Sequence, residues 1–457
     1  MFAVIKIPHF YRWLSSLHIP PPLTVVVTFL IIIATGTFLL ILPHATAPGK
    51  ETKFIDALFT AASATCVTGL IVVDTGSHFS LFGQIVILSL IQIGGLGLMM
   101  FASLFALISR DFGVRERILI REVTRYENLS KISSVVLLVL FLTLLFEAGG
   151  AIFLYFQLLS FEKSALHAAY SAIFHSISAF CNAGFSLYSD SFMRYRADFG
   201  VNIIMAGLII SGGLGFVVVL DLLGGVKALF KKQRKYFSLH ARLVLFTTLI
   251  LIIAGTFIIF AGEQNGLFKG FSLKEKFLAS FFQAVTARTA GFNTVKISSL
   301  TSFTCFFLIL LMFIGASPGS TGGGIKTSTF ALLLLTIRSM IQGKDEVEVF
   351  KRTVPRTTIY QALCVITLAL CWISLSTLLL SFTEKSNFLD IFFEVFSAFG
   401  TVGLSRGITS ELTTWGKIII IVTVIAGRIG PLTLALAIAG KKKVKRYRYP
   451  EENIIIG

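Results

Sequence analysis

The chain has 457 residues, 55% hydrophobic and only 14% charged, with a formal net charge of +17. Soluble domains carry about 25% charged residues, so the composition leaves no room for a large soluble domain. The basic residues sit in short stretches between apolar runs (Arg110 to Lys131, Lys227 to Arg242, Arg338 to Arg356, Lys441 to Arg448); that is the pattern of cytoplasmic loops in a lipid bilayer and argues against nucleic acid.

Taken in chain order, the sequence predicts four units of one kind. The first 20 residues lack a small-residue cleavage pattern, so a cytoplasmic N-terminus over 1–22 is expected rather than a cleaved signal. Pore repeat 1 (23–108) reads as a span near 23–43, a half-helix near 54–64, a loop at 65–70 and a second span near 84–108. Repeat 2 (132–226) has spans at 132–158 and 202–226 around a half-helix at 167–179 and a loop at 180–185. Repeat 3 (242–337) runs 242–262, 275–287, 288–292 and 303–337, with a broken second span. Repeat 4 (359–439) runs 359–382, 388–398, 399–404 and 416–439, and a cytoplasmic tail over 440–457 follows.

The spans approach the ~20 residues needed to cross about 30 Å of hydrocarbon, whereas the half-helices are too short. Charge clusters recur once per repeat, so each repeat returns the chain to the same side. Two spans and one re-entrant hairpin satisfy that parity. The expected fold is an all-α polytopic membrane protein with four pseudo-symmetric helix–pore helix–helix repeats around one pore, giving eight spanning helices.

Each half-helix ends in a small-residue loop that closes on glycine. The loops are Thr65-Cys66-Val67-Thr68-Gly69, Phe180-Cys181-Asn182-Ala183-Gly184, Arg288-Thr289-Ala290-Gly291 and Phe399-Gly400-Thr401-Val402-Gly403. One such glycine alone is most often a helix C-cap. Four at intervals of roughly 110 residues are a repeat. Non-helical backbone at membrane depth must line a wet cavity or be buried in protein. The half-helices would aim their partly negative ends at that cavity, which favours a cation. Asp56, Glu275 and Asp390 lie near the opposite, positive ends, where the second repeat has His167 instead. Backbone carbonyls can replace the hydration shell of K+, and glycine supplies the left-handed backbone that turns them inward. The expected K+ filter is therefore Thr65, Cys66, Val67, Thr68 and Gly69; Cys181, Asn182, Ala183 and Gly184; Thr289, Ala290 and Gly291; and Gly400, Thr401, Val402 and Gly403.

The broken span of repeat 3 contains Gly315, Pro318, Gly319, Gly322, Gly323, Gly324 and Lys326 within Gly315–Thr329. A helix loses about 1 kcal/mol per glycine and about 3 per proline, so an intramembrane gate loop is expected. A phosphate cradle would need a preceding strand. Arg428 lies midway along the last span, where a charge is costly and marks function. Its donors could hold carbonyls of the gate loop, its charge would oppose passing cations, and Lys326 would share both tasks. Glu147, also mid-span, has no partner assignable from the sequence, a basic residue being one option. Gly94-Gly95-Leu96-Gly97 and Gly212-Gly213-Leu214-Gly215 read as close helix packing. The five cysteines form no disulfide or metal pattern, and Cys305, Cys364 and Cys371 read as small buried hydrophobes.

Several stretches together resemble the Trk/Ktr/HKT superfamily of K+ transporters. They are Asp56-Ala57-Leu58-Phe59-Thr60-Ala61-Ala62-Ser63, Ile177-Ser178-Ala179-Phe180, Thr289-Ala290-Gly291-Phe292-Asn293, Ser397 to Leu404 and Gly427-Arg428-Ile429-Gly430-Pro431. The length and compact first repeat look most like KtrB-type bacterial subunits. The resemblance implies K+ uptake through a bacterial cytoplasmic membrane, often Na+-stimulated. It also implies a homodimer with one pore per protomer, and a cytosolic ring of RCK (KTN) regulatory subunits, KtrA-like, that bind ATP or ADP. It makes Gly69, Gly184, Gly291 and Gly403 the filter glycines, Gly315–Thr329 the gate loop and Arg428 the arginine opposing free passage. Relatives that carry Na+ often have serine at the first position, so Gly69 favours K+. Cys66, Cys181 and Pro318 depart from the expected pattern. No organic cofactor and no nucleotide motif of the chain's own are expected. Two other classes compete: an ion-coupled secondary carrier of a small solute, which calls for inverted repeats, and a membrane enzyme, which needs a polar cluster beyond the scattered Glu147 and Arg428.

Overall fold

The computed structural model describes residues 21–97, 132–162, 164–232, 237–431 and 433. The expectations for the tails at 1–22 and 440–457, the basic run 110–131 and the far part of the span at 84–108 lie almost wholly outside these residues. The described helices are α1 (Pro21–Ile41), α2 (Phe54–Thr65), α3 (Leu81–Leu96), α4 (Ile132–Leu158), α5 (Ala165–Phe180), α6 (Phe199–Leu214) and α7 (Phe216–Phe230). After them come α8 (Leu239–Gly262), α9 (Leu273–Thr286), α10 (Ser302–Phe313), α11 (Thr327–Ile341), α12 (Arg356–Thr383), α13 (Phe388–Gly400) and α14 (Thr414–Ile429). A two-stranded hairpin, Glu348–Val349 with Arg352–Thr353, joins α11 to α12.

Three helices among the described residues are long and apolar enough to cross a membrane: Leu137–Leu158, Leu239–Gly262 and Arg356–Thr383. A bent pair, Phe199–Leu214 with Phe216–Val226, makes a fourth if counted as one span. The outward faces of these helices carry exposed apolar side chains such as Phe141, Phe153, Phe257 and Leu378, as expected for contact with lipid rather than water.

The short helices α2, α5, α9 and α13 form the core, and their aromatic residues Phe59, Phe174, Phe282 and Phe393 are buried. Local chemistry starts each of them differently. Ser164 caps α5 by accepting the His167 N–H, and Ser272 with Glu275 forms a capping box on α9. Each short helix packs on the long helix before it: α1 on α2, α4 on α5, α8 on α9, α12 on α13. The helices that follow also reach onward. Helix α3 packs on α5, α6 on α9, α10 on α13, and α14 returns to α2. The packing thus closes in a circle, in chain order.

The structure departs from expectation at the inner helices. The expected unbroken span at 202–226 bends by 104° at Gly215 (φ 82°). The side a Cβ would occupy there is filled by the Pro318 carbonyl. Similarly, α3 stops at Gly97 and α14 at Gly430, both with positive φ; the rest of the last span, expected to run to 439, lies almost wholly outside the described residues. Between α10 and α11 the chain leaves the helix, and the two arms of this segment are joined by Gly315 donating to the Ile325 carbonyl (2.8 Å). Cys305 is buried as expected, but Cys364 and Cys371 are exposed, because α12 turns that face away from the core beside Leu363 and Leu370.

Candidate functional site

The four loops share one backbone conformation. Two residues before each glycine, Val67, Asn182, Thr289 and Thr401 adopt φ of 56°, 58°, 75° and 49°. The glycines themselves have φ of 87°, 71°, 77° and 92° at 69, 184, 291 and 403. Each loop therefore alternates hand twice, and the first left-handed position is held by a side chain that disfavours it. For β-branched valine and threonine this is an outlier, a strain of order 1–3 kcal/mol that the surroundings must hold in place.

A shared brace supplies part of that support. The residue before the glycine donates its N–H to the carbonyl of Ser63 (2.8 Å), Ser178 (2.7 Å), Thr286 (2.9 Å) or Ser397 (2.8 Å). In three loops the hydroxyl of that same residue donates to the carbonyl just after the glycine: Ser63 to Leu70 (2.8 Å), Ser178 to Phe185 (2.8 Å) and Thr286 to Phe292 (2.6 Å). In the fourth, Ser397 Oγ accepts the Gly403 N–H (3.1 Å). The recurrence of Ser or Thr six positions before three of the glycines, and five before Gly291, was visible in the sequence, but its role was not.

The glycines meet one another in a ring. A Cβ on Gly69 would strike the Ala183 carbonyl, one on Gly184 the Ala290 carbonyl, one on Gly291 the Val402 carbonyl and one on Gly403 the Thr68 carbonyl. Each glycine thus abuts the residue preceding the next glycine, and the fourth abuts the first. The hydroxyls of Thr65, Thr68 and Thr289 are buried here without a hydrogen-bond partner. Cys181 turns its sulfur toward Gln92 (3.7 Å) and Glu147 (3.8 Å), and Gly400 packs against the Met312 carbonyl.

The Gly315–Thr329 loop lies against the same elements. Gly322 is pressed to the Thr289 side chain and Gly323 to that of Thr401, whose hydroxyl accepts the Gly323 N–H (3.0 Å). Thr321 donates to the Phe180 carbonyl (3.2 Å). Gly315 abuts the Gly323 carbonyl, Gly319 the Phe216 ring and Gly324 the backbone of Gly400. Arg428 donates from one guanidinium nitrogen to the Thr321 carbonyl and from another to the Gly94 carbonyl. Lys326 donates to the Gly322 carbonyl (2.7 Å). The helix glycines expected to serve packing do so: Gly94 seats the Thr65 carbonyl and Gly212 that of Phe180, as Gly427 does that of Phe399.

Glu147 pairs with an amide rather than a base: Gln92 donates to both its oxygens (3.0 and 3.2 Å). The acids at the short-helix starts do find bases. Asp56 meets Lys417 (2.7 Å), Glu275 meets Arg196 (3.1 Å) and Asp390 meets Arg406 (2.5 Å). The first two pairs join different repeats.

The family model TrkH, described as a cation transport protein, matches residues 15–447. Ktr system potassium uptake protein B of Bacillus subtilis is 42% identical over 441 residues, covering 96% of this chain and 97% of that one. Potassium/sodium uptake protein NtpJ of Enterococcus hirae is 37% identical over 438 residues, covering 94% and 95%. The crystal structure of the potassium transporter TrkH from Vibrio parahaemolyticus has the same fold. Its TM-score is 0.71 at 20% identity, with 91% of this chain and 83% of that one covered.

Proposed function

The chain belongs to the TrkH family of cation transport proteins, and from that premise we propose that it takes up K+ through the ring at Gly69, Gly184, Gly291 and Gly403. It is a multi-pass protein of the bacterial plasma membrane. The observation that carries the proposal is the cyclic contact of the four glycines with the carbonyls of Thr68, Ala183, Ala290 and Val402. Such carbonyls substitute for the water around K+ as it enters. The unpartnered threonine hydroxyls beside them support a wet, ion-lined path.

In this reading the chain is four repeats, 23–108, 132–226, 242–337 and 359–439, with eight spans and cytoplasmic tails at 1–22 and 440–457. Inner-helix breaks at Gly97, Gly215, the Gly315–Thr329 loop and Gly430 widen the path beneath the ring. The Gly315–Thr329 loop is the gate: it touches three of the four filter loops, and Arg428 and Lys326 hold its carbonyls. Their charges also oppose a cation below the ring. Na+ stimulation, a homodimer and a cytosolic KtrA-like RCK ring binding ATP or ADP belong to the same proposal, on the strength of the family resemblance.

The test is Rb+ and K+ uptake in cells lacking their own K+ uptake systems, with and without Na+, for wild type and Gly69→Ser. Saturable uptake with K+/Na+ discrimination eroded in Gly69→Ser is expected. Full discrimination in that variant would refute the filter.

A further inference from the structure

Two opposite members of the ring carry a buried ionisable side chain at one shared register. Three residues before the bracing Ser or Thr stand His175 (178−175) and Glu394 (397−394), where the other two repeats have Thr60 (63−60) and Gln283 (286−283). His175 and Glu394 are both 0% exposed. Each reaches the serine two places beyond its glycine. Ser186 Oγ lies 3.0 Å from His175 Nε2, and the Leu187 N–H donates to that same nitrogen (3.2 Å). Ser405 Oγ donates to Glu394 (2.7 Å), and Thr409 donates to its other oxygen.

Both side chains work as acceptors. His175 Nδ1 lies 2.7 Å from the Ser171 carbonyl, which places the ring proton there and leaves Nε2 free to accept. Ser405 Oγ already receives the Gly407 N–H (3.0 Å) and lies 2.9 Å from Thr409 Oγ1. Its own proton therefore points to Glu394. No such strut exists in the other two loops. Thr60 bonds its own helix at Asp56, the buried Gln283 amide has no hydrogen-bond partner, and the residues two beyond those glycines are Ile71 and Asn293.

We propose that His175 and Glu394 are positioning residues that brace the outer lips of the second and fourth loops, fixing the ring along one diagonal and so its preference for K+ over the smaller Na+. The proposal rests on the filter reading above. It applies to loops whose inner ends are already pinned by Ser178 and Ser397, so the struts govern spacing rather than formation of the ring.

The experiment is competition of Na+ against Rb+ uptake by the full-length protein, alongside its melting temperature. Glu394→Ala and His175→Ala are each expected to lower K+/Na+ discrimination about tenfold, the effect of stranding buried donors. The double variant should lose more. Thr60→Val, at the same register, should keep the wild-type ratio. Where an alanine variant fails to fold, Glu394→Gln and His175→Gln keep the volume and are read instead. Unchanged ratios in the strut variants overturn the proposal, as does an equal change at Thr60. Gly69→Ser, run in parallel, separates the two levels. Lost discrimination there with intact strut variants refutes the struts alone, and retained discrimination there refutes the filter and the struts together.

Discussion

Arg428→Leu is the substitution that tests the gate. In the wild type one guanidinium joins the Thr321 carbonyl of the gate loop to the Gly94 carbonyl of α3. A hydrogen bond from a charged donor contributes about 1.5–3 kcal/mol. Removing the bond to the loop should shift its held-to-released balance by about 10- to 150-fold. The same change removes a positive charge from beneath the ring, so two causes predict faster flux. Arg428→Lys divides them, because it keeps the charge but cannot span two carbonyls on different elements. The assay is Rb+ uptake into vesicles holding purified protein without any regulatory subunit. Basal uptake should rise in both variants, more in Arg428→Leu. If Arg428→Leu folds normally and takes up Rb+ at the wild-type rate, the latch does not exist. If Arg428→Lys matches wild type while Arg428→Leu rises, charge alone explains the effect and the bridging argument fails.

Thr286→Val keeps the shape but strands the Phe292 carbonyl, which should cost about 1–3 kcal/mol in thermal unfolding and weaken K+ discrimination; wild-type values of both would dismiss the brace. Gly215→Ala adds a Cβ where φ is 82° and the Pro318 carbonyl already sits. With a left-handed cost of about 1–2 kcal/mol, it should displace the gate loop and raise basal Rb+ flux, and unaltered flux in a folded variant would show that the bend does not seat the loop. Glu275 lies outside the spans, and its carboxyl is held below the usual range by the Ser272 backbone N–H first, then by the Ser272 hydroxyl and Arg196. Its folded-state value lies below the unfolded one. Its stabilisation is thus complete above the ordinary carboxyl range and is lost as pH falls through the folded value. Glu275→Gln should flatten the acid side of the melting profile, and an unchanged slope would assign acid sensitivity elsewhere.

The glycine ring was legible because a left-handed backbone narrows residue choice to glycine and the demand recurs four times. Its other left-handed positions were not, because valine or threonine in Val67, Thr289 and Thr401 carries no signal for positive φ. They are held by packing and by the braces of Ser63, Ser178, Thr286 and Ser397. The break at Gly315–Thr329 was legible from the density of glycine, whereas the bend at Gly215 was hidden inside an apolar run that suits a straight helix equally well. The partner of Glu147 was illegible for a different reason. Gln92 lies 55 residues away on another helix, and a carboxylate in lipid invites the guess of a base although a bifurcated amide also satisfies it. The exposed Cys364 and Cys371 show the limit of hydrophobicity as a guide to burial in a chain whose outer solvent is itself apolar.

The circle closes between its two ends in sequence. Gly403 abuts Thr68, α14 packs on α2, and Lys417 reaches Asp56, 361 residues away. During synthesis the first three quarters of the circle enter the membrane before the last contact exists, and until then an open seam runs down one side of the unfinished path. Lys417 and Asp56 would each stand unpaired at the rim of that seam until the last quarter arrives. A separately expressed final quarter has a ready-made gap to fill.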